Sequence, residues 1–172
     1  LSSPIEVLKL ARAQFRLYQI ERLTWFKALE CFARYCPSDS AVRLFINSIP
    51  NQMMIPADLV EFEETYAAYL EKIVVELTEE EKLDEKITEM KRECISRWNG
   101  RLALDDFGTG YNGDSVLLMV RPDYVKIDMS IVRNIDTDQN RQSLFCNLRN
   151  YARQQGMKVI AEGVETFGEM RM

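Results

Sequence analysis

The sequence predicts an α/β fold built on a parallel sheet, and three observations predict it. Short apolar runs recur along the chain, amphipathic helical patterns lie between them, and each run ends in a polar residue. Strand and helix alternate at roughly thirty residues per unit, and crossovers of that kind force neighbouring strands to run parallel.

The runs can be named in order. Arg43–Ile46 leads to Asn47, and Lys72–Val75 leads to Glu76. Arg101–Leu104 leads to Asp105 and Asp106, Pro122–Val125 leads to Lys126 with Asp128 just after, and Lys158–Ala161 leads to Glu162. Short runs rich in β-branched residues read as strands buried on both faces.

The helices carry their own start and stop signals. Ser3, Pro4 and Glu6 form a capping box with proline at the first helical position. Helix is expected from there to about Tyr35, with a break near Gln14. Trp25, Phe26, Leu29 and Phe32 share a face and read as core. Pro56 with Asp58 starts a shorter helix toward Leu70, with Tyr66, Tyr69 and Leu70 also in the core. Thr78 with Glu81 reads as a second capping box opening a helix to about Trp98, stopped by Asn99-Gly100. Its acidic first turn, Glu79 to Glu81, complements the helix dipole. A further helix spans Gln139 to Gln155 and closes at Gly156, and Thr166 with Glu169 marks another start.

Composition narrows the chemistry. The chain has 172 residues, a net charge of −5 and no histidine. That length suffices for one domain with a substantial core. Missing histidine excludes a Ser-His-Asp triad, a histidine general base and imidazole-ligated zinc. No basic block is present, so duplex nucleic acid is not an expected partner. Cys31, Cys36, Cys94 and Cys146 show no Cys-x-x-Cys spacing and read as idle thiols in a reducing compartment. With no membrane-length apolar run or signal peptide, the expected location is cytoplasmic, with membrane attachment of a parent protein left open.

The most informative stretch is Leu102-Ala103-Leu104-Asp105-Asp106-Phe107-Gly108. Adjacent carboxylates at a strand end repel and raise one another's pKa, and a divalent cation removes that cost. Polar residues also simply terminate strands, but here five successive strands end in Asn, Glu, Asp-Asp, Lys and Glu. In an open doubly wound sheet these residues would spread along one edge. In a (β/α)₈ barrel they would converge on a single mouth.

Five segments together resemble the EAL-type cyclic di-GMP phosphodiesterase domains of bacteria. They are Phe45-Ile46-Asn47, Glu76-Leu77-Thr78-Glu79, Asp105 to Tyr111, Pro122 to Asp128, and Ala161 to Thr166. Their order and spacing follow that family over nearly the whole chain. The resemblance implies a TIM-like (β/α)₈ barrel, a two-metal site of Mg²⁺ or Mn²⁺, and hydrolysis of cyclic di-GMP to linear pGpG. It implies metal ligands at Asn47, Glu76, Asp105 and Asp106, with Lys126 touching the attacking water and the phosphate. Glu162 would support the metal or the water, Glu79 would anchor the loop after Gly108, and Glu165 would stand behind the site. Asp128 is either part of the site or a strand-end partner for Lys126. Hard oxygen ligands suit Mg²⁺ and Mn²⁺, and two ions about 3.5–4 Å apart stabilise attacking and leaving oxygens together.

The chain also departs from the family. No Glu-Ala-Leu motif occurs, and its glutamate is a metal ligand in the family. The final strand with its glutamine is missing as well. A full barrel takes about 250 residues. The expectation is therefore an EAL domain over residues 1–172, truncated at both ends, with little or no catalysis by this piece alone. Completion by another segment or a homodimer is implied, as are sensory or diguanylate cyclase domains in a parent protein. A non-catalytic cyclic di-GMP-binding or dimerisation module is the alternative. Asn112-Gly113-Asp114 replaces the family's two serines, and Asn-Gly predicts a turn there. Asp106-Phe107-Gly108 also matches a kinase tripeptide, but the kinase histidine motif and glycine-rich loop are absent.

Overall fold

The capping box at the start of the chain forms as expected. Ser3 Oγ accepts the Glu6 N–H at 3.2 Å, and the Glu6 carboxylate accepts the Ser3 N–H at 2.9 Å. Helix α1 (Pro4–Ala13) follows, and α2 (Leu17–Tyr35) begins after a break at which Phe15 adopts φ 56°. This computed structural model describes residues 3–78, 82–108 and 113–172, without the side chains of residues 113 and 114. The chain continues through β1 (Leu44–Asn47), α3 (Pro56–Thr65), a 3₁₀ helix (Ala67–Lys72) and β2 (Ile73–Thr78). Then come α4 (Glu85–Arg97), β3 (Arg101–Phe107), α5 (Gly113–Val120), β4 (Tyr124–Ile127) and α6 (Met129–Val132). The last elements are α7 (Gln139–Gln154), β5 (Lys158–Ala161) and α8 (Phe167–Met170).

Five parallel strands pair in chain order, β1-β2-β3-β4-β5. A doubly wound sheet reverses its order at a switch point, and no reversal occurs among the described strands. Right-handed crossovers in one direction place the helices on one face. The other face is concave. Phe45 on β1 and Tyr124 on β4 meet edge to face with ring centroids 5.5 Å apart. Strands three steps apart in a flat sheet would stand about 14 Å from one another, so the contact requires the sheet to curl. Val74, the register partner of Phe45, and Ala103, that of Tyr124, are small and fully buried.

Alternation along the strands divides the side chains between two faces. Ile46, Ile73, Val75, Leu77, Leu102, Leu104 and Val125 join the core under the helices. Asn47, Glu76, Asp105 and Lys126 have the opposite parity and belong to the concave face. Phe62 is the hub of the core. It is fully buried and its ring lies 5.3 Å from Phe26 and Tyr66 and 5.8 Å from Trp25 and Trp98.

Two expectations about elements need correction. The helix to Trp98 begins at Glu85, where the Asp84 side chain accepts the Ile87 N–H at 2.9 Å. Thr78 instead ends β2, because the apolar strand continues through Leu77. Glu79 to Glu81 lie outside the described residues. Asn112 lies outside the described residues, and Gly113 opens α5, a helix not expected from the sequence. Pro56 does start a helix, but that helix ends at Thr65 and a 3₁₀ segment covers the approach to β2. The helix ending near Gln155 and the capping box of Thr166 and Glu169 appear as expected.

Phe62→Ala is expected to cost about 3–5 kcal/mol, because it removes the ring that four other aromatics contact. Urea unfolding followed by tryptophan fluorescence checks this, and a loss under 1 kcal/mol would contradict the packing described.

Candidate metal and catalytic centre

The polar strand ends converge at one end of the concave face. Lys126 stands at the centre. Its Nζ lies 2.7 Å from Glu76 Oε1, 2.7 Å from Asp105 Oδ1 and 2.9 Å from Glu162 Oε1. These four side chains come from β2, β3, β4 and the residue after β5. Burial alone would favour neutral lysine, but the hydrogen bonds from the three carboxylates outweigh it and hold the Lys126 pKa above its ordinary value. Lys126 is therefore a fixed positive charge. Glu76 is only 6% exposed, and burial pushes its carboxyl above the usual range against the pull of Lys126.

Asp105 and Asp106 are consecutive, and consecutive strand residues normally face opposite ways. The backbone breaks that rule here. Asp106 adopts φ 53° and the β3–β4 register shifts between Leu104 and Phe107. Aspartate tolerates this left-handed conformation better than most residues, and bulges of this kind re-aim side chains near active sites. As a result Asp105, Asp106 and Glu162 each offer a carboxylate oxygen, all within 4.8 Å of one another. Three hard anionic oxygens at that spacing fit a divalent cation such as Mg²⁺ or Mn²⁺. Glu76, Asp105 and Glu162 surround the Lys126 ammonium, with Asp106 beside the latter two, and a cation would offset the negative charge gathered here.

Asn47 ends β1 beside Glu76, its register partner, and is exposed. The remaining expected site residues stand apart. Asp128 is not among the ion-pair partners of Lys126. Its Oδ1 accepts the Ser130 N–H at 2.7 Å and caps α6. Glu165 is exposed and forms a two-pronged ion pair with Arg133. Glu79 falls outside the described residues.

Three features that shape the site were not read from the sequence. The first is the left-handed Asp106, for which Asp-Phe-Gly after a strand is only a weak signal. The second is α6, wedged between the loops after β3 and β5. Gly108 and Gly163 both have positive φ, and a Cβ on Gly163 would lie 2.6 Å from Met129 Cβ. A Cβ on Gly108 would run into Ile131 Cδ1. Glycine at both positions lets the two loops close on α6. The third is a buried polar network behind Asn47, formed by Glu21 and Lys91 on the buried faces of α2 and α4. Glu169 secures the outer part of the β5 loop. It accepts the N–H groups of Glu165, Asn134 and Thr166 at 2.9, 2.9 and 3.0 Å, which hold its pKa down to about 2.

Comparison with known proteins identifies this arrangement. The family model described as EAL domain matches residues 2–172. The chain belongs to the EAL domain family. This EAL chain is 36% identical over 110 residues to the probable cyclic di-GMP phosphodiesterase PdeG of Escherichia coli K12, covering 63% of the chain and 22% of that protein. It is 37% identical over 98 residues to the cyclic di-GMP phosphodiesterase PdeL of the same organism, covering 55% and 26%. It thus spans about a quarter or less of these curated relatives.

Solved structures agree on the fold. A standalone versatile EAL protein of Vibrio cholerae O395, in its c-di-GMP-bound form, matches with TM-score 0.80 and 28% identity over 95% of this chain and 71% of that one. Klebsiella pneumoniae BlrP1, in a manganese/cy-diGMP complex, matches with TM-score 0.81 and 25% identity over 98% and 44%. The curled five-stranded sheet is accordingly the α/β architecture of the EAL domains, a TIM-like barrel. No helix among the described residues is long and apolar enough to cross a membrane.

Lys126→Met, in the presence of a chelator, is expected to lower stability by about 1–3 kcal/mol by leaving buried carboxylate unpaired. Adding Glu76→Gln should recover part of that loss. A urea-denaturation double-mutant cycle measures the coupling, and strict additivity would contradict the ion pair.

Proposed function

We propose that this chain contributes the metal-binding mouth of a domain that hydrolyses cyclic di-GMP to linear pGpG with two Mg²⁺ or Mn²⁺ ions. The observation that carries the reading is the carboxylate trio Asp105, Asp106 and Glu162 facing the Lys126 ammonium. Asp105, Asp106, Glu76 and Asn47 would hold the ions, whose donor set is oxygen alone. When bound, the ions would supply positive charge that favours ionised water and offsets charge on the phosphate.

The chain's own residues have distinct parts. Lys126 donates hydrogen bonds from its ammonium group to Glu76, Asp105 and Glu162. Once its carboxylate neighbours are engaged elsewhere, its Nζ is free to meet phosphoryl oxygens, where charge grows during attack. Glu162 has the most exposed side chain of the Lys126 partners, at 31%, and is placed to orient water entering the mouth. Glu76, at 7% side-chain exposure, sits deepest and fixes Lys126 from below. Support comes from curated relatives named as cyclic di-GMP phosphodiesterases and from a neighbour solved with manganese and cy-diGMP.

One observation favours a second reading, binding without cleavage. The sequence has no Glu-Ala-Leu motif, so the glutamate ligand of that motif is not supplied by this chain. The complete encoded protein, incubated with cyclic di-GMP and Mn²⁺ or Mg²⁺, separates the readings by chromatography of products. The proposal expects pGpG, none of it in chelator, and a drop of about 10²–10³-fold in kcat for Lys126→Ala. Saturable binding without product would establish the second reading, and absence of both would rule out the two together.

A further inference from the structure

A network of charged and polar side chains lies directly behind Asn47, sealed from solvent. Glu21 of α2, Ser48 at the exit of β1 and Lys91 of α4 are 2%, 5% and 3% exposed. Ser48 Oγ donates to Glu21 Oε1 at 2.5 Å, and the Ile49 N–H donates to Glu21 Oε2 at 2.8 Å. Lys91 Nζ donates to Ser48 Oγ at 2.6 Å and to the Ile49 carbonyl at 2.8 Å. It also lies 3.8 Å from Glu21 Oε1. On the sheet side, the Ser48 N–H donates to the Glu76 carbonyl at 2.9 Å.

Stability does not account for this network. Removing two charges from water costs several kcal/mol per ion, and well-packed apolar side chains of similar size often do as well or better. The cost is visible in the groups themselves, since burial pushes Lys91 down to about 8 and Glu21 up. Two helices could be held against the sheet by leucine or methionine at these positions. What such residues could not supply is direction. Here the Ser48 N–H and hydroxyl and the Ile49 N–H and carbonyl all have fixed partners, so the backbone leaving Asn47 is held from both sides. One side is Glu76, the register partner of Asn47. The other is the pair of helices.

We infer that Glu21, Ser48 and Lys91 are positioning residues that hold Asn47 beside Glu76 for a divalent cation at the mouth of the sheet. This rests on the metal-dependent function proposed above. The three touch neither cation nor substrate, and they act through the two residues that follow Asn47. Groups that orient metal ligands typically change affinity by about 10–100-fold when removed.

The test is the affinity of the chain for Mn²⁺ alone, read from the electron paramagnetic resonance signal of free Mn²⁺. Ser48→Ala, and Glu21→Met combined with Lys91→Met, are each expected to weaken binding about tenfold or more. Ser48→Thr keeps the hydroxyl and should keep the affinity. The paired methionine variant should unfold in urea at the parental midpoint or above it, a result that separates positioning from support of the fold. If that variant does not fold, Ser48→Ala carries the test. In an Asn47→Ala background, Ser48→Ala should cause no further loss. Parental affinity in folded Ser48→Ala, or an undiminished further loss on top of Asn47→Ala, would overturn the inference while leaving the metal site standing. A parent chain that binds no Mn²⁺ would remove the metal-dependent reading and this inference with it.

Discussion

The mouth of the sheet depends on one ammonium group. Glu76 and Asp105 from β2 and β3, and Glu162 just after β5, would repel one another without Lys126 between them, within 2.9 Å of each. That contact constrains everything around it. The strands must be parallel so that their ends meet, and the sheet must curl so that a residue on β4 can reach one on β2. Lys126 pairs with three carboxylates, and the Asp106 carboxylate lies within 4.8 Å of two of them, Asp105 and Glu162. The same crowding of carboxylates that makes it a poor place for protein alone makes it a good place for a hard cation.

The rest of the structure holds these groups in place. Phe45 and Tyr124 fill the concave face below the site, while Phe62 and its aromatic neighbours fix the helices outside. The left-handed Asp106 turns two consecutive carboxylates to one side. Helix α6 fits between loops whose glycines leave room for it. Glu169 ties the far end of the β5 loop to Asn134. Rigid placement matters because an electrostatic site gains most when its charges need not reorganise.

Much of this was legible in the sequence because parallel strands buried on both faces leave unbroken apolar runs, and their polar ends mark one edge of the sheet. Asn47, Glu76, Asp105, Lys126 and Glu162 could be picked out for that reason, and the structure brings the last four together. What was not legible depends on tertiary contact. Nothing in Asp128 distinguishes a residue facing Lys126 from one capping α6, and the structure shows the cap. Glu165 was placed behind the site, but Arg133, 32 residues away in the chain, claims its carboxylate. The acidic run from Glu79 hid the true helix start at Asp84, since any acidic residue suits a first turn. Glu21 and Lys91 lie 70 residues apart in the chain, and only the fold shows that both reach Ser48.

Anomalous X-ray scattering from a crystal of the chain grown with Mn²⁺ addresses the centre of this description directly. A manganese peak bounded by Asp105, Asp106 and Glu162 is the expected result, with Lys126 Nζ withdrawn from at least one carboxylate. Ordered protein with no peak there, or with manganese held only at other acidic surfaces, would contradict it.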